Sequence, residues 1–183
     1  MRIALSRCAA TAANGFIESE ADMAKAPDTR AEDAATLLVE DHRKVKKIFD
    51  EFKKLKSEDA GEKEDLVRMA CTELKIHAMV EEEIFYPAVR EKLEDTGLID
   101  EAEVEHTVAK QLIGELEEMT PDEELYDAKF TVLGEYVNHH VAEEEKQIFP
   151  QAKKAKVDMQ ALGKKIKQRK KELQQQAGVT SDE

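Results

Sequence analysis

Two copies of one phrase constrain the fold of this 183-residue chain more than any other feature. The first opens with His77-Ala-Met-Val-Glu81 and closes on Ile84-Phe85-Tyr86-Pro87; the second opens at His140, reaches Glu144 and closes on Ile148-Phe149-Pro150. A His and a Glu four positions apart sit side by side on one face of a helix, whereas in a strand they would stand roughly 13 Å apart. Each phrase is preceded by a lone His in another helical stretch, His42 in the first half and His106 in the second. The repeated unit is therefore a His, a gap, then His-x-x-x-Glu. A chain built this way calls for four helices, each turning polar groups toward a shared interior.

The apolar residues keep helical time around these positions. Leu38, His42, Val45, Phe49 and Phe52 recur at three and four residues and predict a first helix over about 31–56. Leu66, Ala70, His77, Glu81, Ile84 and Ala88 predict a second helix over 62–93, kinked near Pro87 beyond the polar residues. Ala102, His106, Ala109, Ile113 and Leu116 mark a third over 98–119. Thr120-Pro121 with Glu123 looks like a capping box that starts a fourth, whose inner face reads Phe130, Leu133, Val137, His140, Glu144, Ile148. With seven Gly, four Pro and short connections, the fold class is all-α, an antiparallel up-down-up-down four-helix bundle. The expected division is a disordered, flexible N-terminal arm over 1–30, the bundle over 31–152, and a basic C-terminal helix with a frayed tail over 153–183.

No apolar run approaches the roughly 18 residues of a membrane span. A net charge of -13 repels phosphate backbones, so neither membrane nor nucleic acid is an expected partner. Cys8 and Cys71 make neither a disulfide framework nor a thiolate metal site, which fits a reducing, cytoplasmic setting. The expected state is a monomer or weak homo-oligomer. The basic segment from Lys153 to Lys171 carries a narrow apolar face at Met159, Leu162 and Ile166. It is expected to pack on the end of the bundle, the alternative being an electrostatic dock for an acidic partner protein or for a second copy of the acidic bundle.

Polar residues interrupt all four apolar stripes: His42, His77 with Glu81, His106, and His140 with Glu144. Burying a carboxylate costs several kcal/mol unless its charge is matched, and no Lys or Arg shares these stripes. A pair of metal ions held by four imidazoles and two bridging carboxylates resolves the conflict, and the donor set suits iron, manganese or zinc. Within the runs Glu81–Glu83 and Glu143–Glu145, only Glu81 and Glu144 share the His face, so the others are expected to be solvated. His139 points away from His140. Tyr86 and Tyr136 are expected to be packing residues with satisfied hydroxyls, the alternative being a supporting or redox role beside the ligands.

Taken together, Glu40-Asp41-His42, His77-x-x-x-Glu81-Glu82 before Phe85-Tyr86-Pro87, Val104-Glu105-His106, and His140-x-x-x-Glu144-Glu145 before Ile148-Phe149-Pro150 resemble the hemerythrin family, in its bacterial HHE cation-binding branch, over about residues 33–152. The Leu162-Gly163 and Arg169-Lys170 segment also resembles tails that follow such bundles. The resemblance implies two non-haem iron ions, oxo- or hydroxo-bridged, with His42, His77, His106 and His140 as terminal ligands and Glu81 and Glu144 as bridges. It implies a function in binding or sensing O2, NO or peroxide. The alternatives are a di-iron enzyme with catalase-like or NO-reducing activity, and an iron donor or store serving the repair of iron centres. One position departs from the oxygen carriers, which have a further His one turn after the third-helix His; here it is Lys110. Four His, two bridging carboxylates and one bridge leave two positions open on a pair of six-coordinate irons, and a fifth His would leave one.

Overall fold

The computed structural model describes residues 33–56 and 58–178. The expected N-terminal arm and Cys8 lie outside the described residues. The described chain is helical throughout, with no strand among the described residues. Helix α1 spans Ala34–Phe52, α2 Ala60–Val80 and α3 Tyr86–Arg90, with one π-helical turn, Glu81–Phe85, between α2 and α3. Helix α4 spans Gly97–Glu117, α5 Tyr126–Glu143 and α6 Phe149–Lys154, with a second π-helical turn, Glu144–Ile148, between α5 and α6. Helix α7 spans Met159–Gln176.

Local chemistry explains where these helices start and stop. The Asp33 side chain accepts the Thr36 N–H at 2.8 Å and caps α1. Helix α1 ends at Phe52 rather than near residue 56, because Lys53 and Lys54 bring no apolar side chain to bury. The fourth bundle helix begins at Tyr126, not at Thr120. Glu123 Oε1 does accept the Thr120 N–H at 2.8 Å, so the side-chain half of a capping box forms without a helix behind it. Pro121 to Glu124 offer nothing to the core, Leu125 is exposed, and Tyr126 is the first residue of that stretch to be buried.

At the expected kink the helix carries a π turn, which begins earlier than the proline. Proline lacks the N–H that would bond the carbonyl four residues back, and its ring collides with that carbonyl. Upstream of Pro87 the helix widens, and the Tyr86 N–H bonds the Glu81 carbonyl, five residues back; Phe149 does the same with Glu144 ahead of Pro150. The distortion therefore begins at the two repeated glutamates themselves, as π turns at functional sites often do. Each turn accommodates one extra residue; at the second the expected Ile148 stays buried with Phe149 beside it, whereas the first shifts the inward stripe. Ile84 and Ala88 were the expected core positions, and Phe85 and Val89, both 0% exposed, occupy them instead.

Helix α1 packs beside α2 and α5, and α4 beside α2 and α5, which closes the four-membered ring of the bundle. Short connections make successive members antiparallel. Helix α7 packs on α1 and α2 and on the first π turn. The apolar core falls into two clusters: one at the α7 end around Leu38, Val80, Phe85, Tyr86 and Phe149, the other around Val45, Phe49, Phe130 and Leu133. Between them lies the layer of buried His and Glu. No helix among the described residues is long and apolar enough to cross a membrane.

Gly134 shows how tight the second cluster is. A Cβ there would stand 3.0 Å from Phe49 Cδ1 and 3.2 Å from its Cγ, and the Phe49 ring is braced by Phe130 at 4.8 Å between centroids. Gly134→Ala should gain about 1 kcal/mol of helix propensity and lose about 2 kcal/mol to overpacking. A melting temperature lowered by about 2–4 °C is expected in thermal unfolding. An unchanged or higher one would show that Phe49 yields freely.

Candidate metal centre

The six repeat-related side chains converge. His42 comes from α1, His77 from α2, His106 from α4 and His140 from α5, and Glu81 and Glu144 open the two π turns. All six are buried, the two glutamates completely. His42 Nε2 and His77 Nε2 stand 3.2 Å apart, and so do His106 Nε2 and His140 Nε2. Glu81 Oε2 lies 3.2 Å from His77 Nε2 and 3.3 Å from His106 Nε2, which places it between the two imidazole pairs. Glu144 Oε2 is 3.2 Å from His42 Nε2.

Behind every imidazole stands a carboxylate. His42 Nδ1 is 2.9 Å from Glu145, His77 Nδ1 3.3 Å from Asp41, His106 Nδ1 2.9 Å from Glu82, and His140 Nδ1 2.9 Å from Glu105. With each Nδ1–H donating outward, all four Nε2 lone pairs point into the centre. Two lone pairs at 3.2 Å repel unless something positive sits between them. Two nitrogens on one cation at a right angle, each at about 2.1 Å, would stand about 3.0 Å apart.

These four supporting carboxylates were the part that sequence reasoning missed. Glu82 and Glu145 are expected to be mostly solvated; Glu145 is exposed and Glu82 half-buried, and each also reaches across to an imidazole on a neighbouring helix. A signal was present in the repeat: Asp41, Glu82, Glu105 and Glu145 are each the chain neighbour of one of the six. Asp41 stands to His77 as Glu105 stands to His140, and Glu82 to His106 as Glu145 to His42, so the site has an approximate two-fold.

Without metal, protons on the imidazoles match part of the buried carboxylate charge, and a bound metal ion would displace them. Burial alone would raise the Glu81 carboxyl, yet His77 and His106 hold it well below the usual carboxylate range. Burial and the charge of Glu81 push Glu144 up. Burial would lower His77, but Glu81 and Asp41 bring it up to about 10. Glu81 Oε1 and both Glu144 oxygens are buried without a hydrogen-bond partner, which is costly for a carboxylate; the 3.2 Å approach of Glu144 Oε2 to His42 Nε2 is an ion-pair contact without hydrogen-bond geometry. His42, His77, Glu81 and Glu144 offer donor atoms within 4.8 Å of one another, as do Glu81, His106 and His140. Two such groups sharing Glu81 can hold two metal ions, and the orphaned oxygens fit that use.

Other expectations divide. His139 is exposed, as expected, and lies 3.7 Å from Glu105 and 3.8 Å from Glu143. The tyrosines are not alike. Tyr86 is fully buried, its hydroxyl donates to Glu81 at 3.4 Å, and burial with Glu81 and Glu144 nearby raises its pKa well above the usual value. Tyr136 is exposed. Lys110 does not aim at the centre: its Nζ bonds both oxygens of Glu82 at 2.6 Å, the carboxylate that holds His106. A cavity of about 40 Å³ touches all four imidazoles and is otherwise walled largely by Val45, Leu74, Ile113 and Val137. That is room for a few atoms only.

The family described as "Hemerythrin HHE cation binding domain" matches residues 33–152. The crystal structure of a hemerythrin HHE cation-binding domain-containing protein from Mycobacterium kansasii is similar, with a TM-score of 0.68 and 23% identity over 79% of this chain and 89% of that one. No curated protein matches the chain at a significant level.

Proposed function

Because the chain belongs to the hemerythrin HHE cation-binding family, we propose that it holds two non-haem irons and binds or senses O2, NO or peroxide at coordination positions left open beside them. The observation that carries this reading is the set of three buried, unpartnered carboxylate oxygens facing four inward imidazole nitrogens. His42 and His77 would hold one iron and His106 and His140 the other, with Glu81 and Glu144 between them. Bound iron would supply one-electron redox chemistry and Lewis acidity.

The protein's own groups then do three things. The outer carboxylates fix each imidazole ring, so that its lone pair is already aimed. The small, largely apolar cavity beside the imidazoles has room for a diatomic or peroxide. Lys110, held on Glu82, leaves open the positions a further His would have narrowed.

Tyr86 favours a second reading, turnover of peroxide. A buried phenol donating to Glu81 is placed to deliver a proton or an electron at the centre. One experiment separates these readings: load the protein anaerobically with ferrous iron, count the metal, and record optical spectra with O2, NO and peroxide. Two irons per chain with a reversible oxygen-dependent band are expected. Repeated oxygen evolution from peroxide without bleaching would favour the enzyme, release of iron on oxidation would favour a donor, and failure to bind iron would sink the proposal.

A further inference from the structure

Helix α7 lies outside the residues matched by the family, yet it reaches the centre. We infer that Lys170 is a positioning residue for the metal at His42 and His77, acting through Asp41. Its Nζ donates to Asp41 Oδ1, while Asp41 Oδ2 holds His77 Nδ1 at 3.3 Å. Asp41 is 7% exposed and the Lys170 side chain 17%, so water competes poorly for either partner. The chain of contacts runs from α7 through one carboxylate to one imidazole.

Two further observations support this assignment. At 3.3 Å the Asp41 contact is the longest of the four carboxylate–imidazole contacts, the other three being 2.9 Å. It therefore depends most on something else to fix the carboxylate's orientation. Secondly, α7 is anchored on α1 and α2, which carry His42 and His77, and on the first π turn. Leu162, Ile166 and Leu173 are buried in one cluster with Leu38, Ile76 and Val80, and Arg169 grips both oxygens of Glu83 at 2.7 and 3.1 Å. At the two-fold-related carboxylate, Glu105, the additional neighbour is His139 at 3.7 Å, from within the bundle. The tail thus breaks the site's symmetry, and one metal answers to it more than the other.

The inference rests on the di-iron reading, and its test keeps the two apart. Full-length protein is loaded anaerobically with ferrous iron, and release to a ferrous chelator is followed optically. Lys170→Met should release one of its two irons about tenfold faster than the unsubstituted chain, within the range that loss of a supporting group costs, with the second iron within about twofold. Lys170→Arg should restore slow release, and Lys165→Met, which removes an exposed charge from the same helix, should change nothing beyond about twofold. In an Asp41→Asn background Lys170→Met should add no further effect, the non-additivity expected of groups in one chain of contacts. Unchanged release in Lys170→Met, an additive double variant, or equal acceleration of both irons would overturn the inference. An unsubstituted chain that binds no iron pair would overturn the reading beneath it, and this inference with it.

Discussion

Glu81→Ala is expected to leave a helical chain that retains neither metal ion. Glu81 belongs to both donor groups, it is fully buried, and its Oε2 lies between His77 and His106. Its chain neighbour Glu82 is not free to replace it, because Glu82 already bonds His106 and Lys110, and Glu144 belongs to the His42 and His77 group only. His140→Ala removes a donor from one group only and should retain the metal at His42 and His77. The loss in Glu81→Ala should exceed about 100-fold in affinity, the upper end of what removing even a supporting group costs. Metal analysis after gel filtration reads both outcomes, with circular dichroism to confirm helical content. Retention of two ions in Glu81→Ala would remove Glu81 from the centre and with it the shared-ligand arrangement.

The architecture and the inner ring of the site were legible in the sequence because both depend on helical periodicity. His77 with Glu81, and His140 with Glu144, share a face by their spacing alone. The outer ring was not legible, because Asp41 finds His77, and Glu82 finds His106, across a helix–helix interface. A helical wheel shows that Glu82 points away from Glu81. It does not show that a neighbouring helix is waiting there. The π turns escaped for a related reason: Pro87 and Pro150 announce a missing donor, but whether the helix kinks or widens depends on which residues the core accepts, and it accepted Phe85 and Val89. The start of α5 was misplaced because the Thr120 and Glu123 pair satisfies its local hydrogen bonds in a turn as well as in a helix. Local polar signals were sufficient to mark a boundary and insufficient to choose its side.

Removal of metal by a chelator is expected to lower the melting temperature by about 10–20 °C. Each site occupied at about 100 times its dissociation constant contributes about 2.7 kcal/mol, and each kcal/mol shifts a chain of this size by about 2–4 °C. Glu144→Gln should invert the ranking between the two conditions. Without metal, Glu144 is a buried carboxyl raised by burial and by the charge of Glu81, so it costs stability increasingly as pH rises above its ordinary value of 4.5. The isosteric amide removes that cost, and the stripped variant should melt at or above the stripped parent at pH 7. With metal present the same substitution removes a charged donor from the centre, and the variant should melt well below the loaded parent. Thermal unfolding of both chains, with metal and with chelator, gives the four values needed. Equal destabilisation in both conditions would mark Glu144 as a structural group; opposite signs are what a carboxylate held in place for a cation requires.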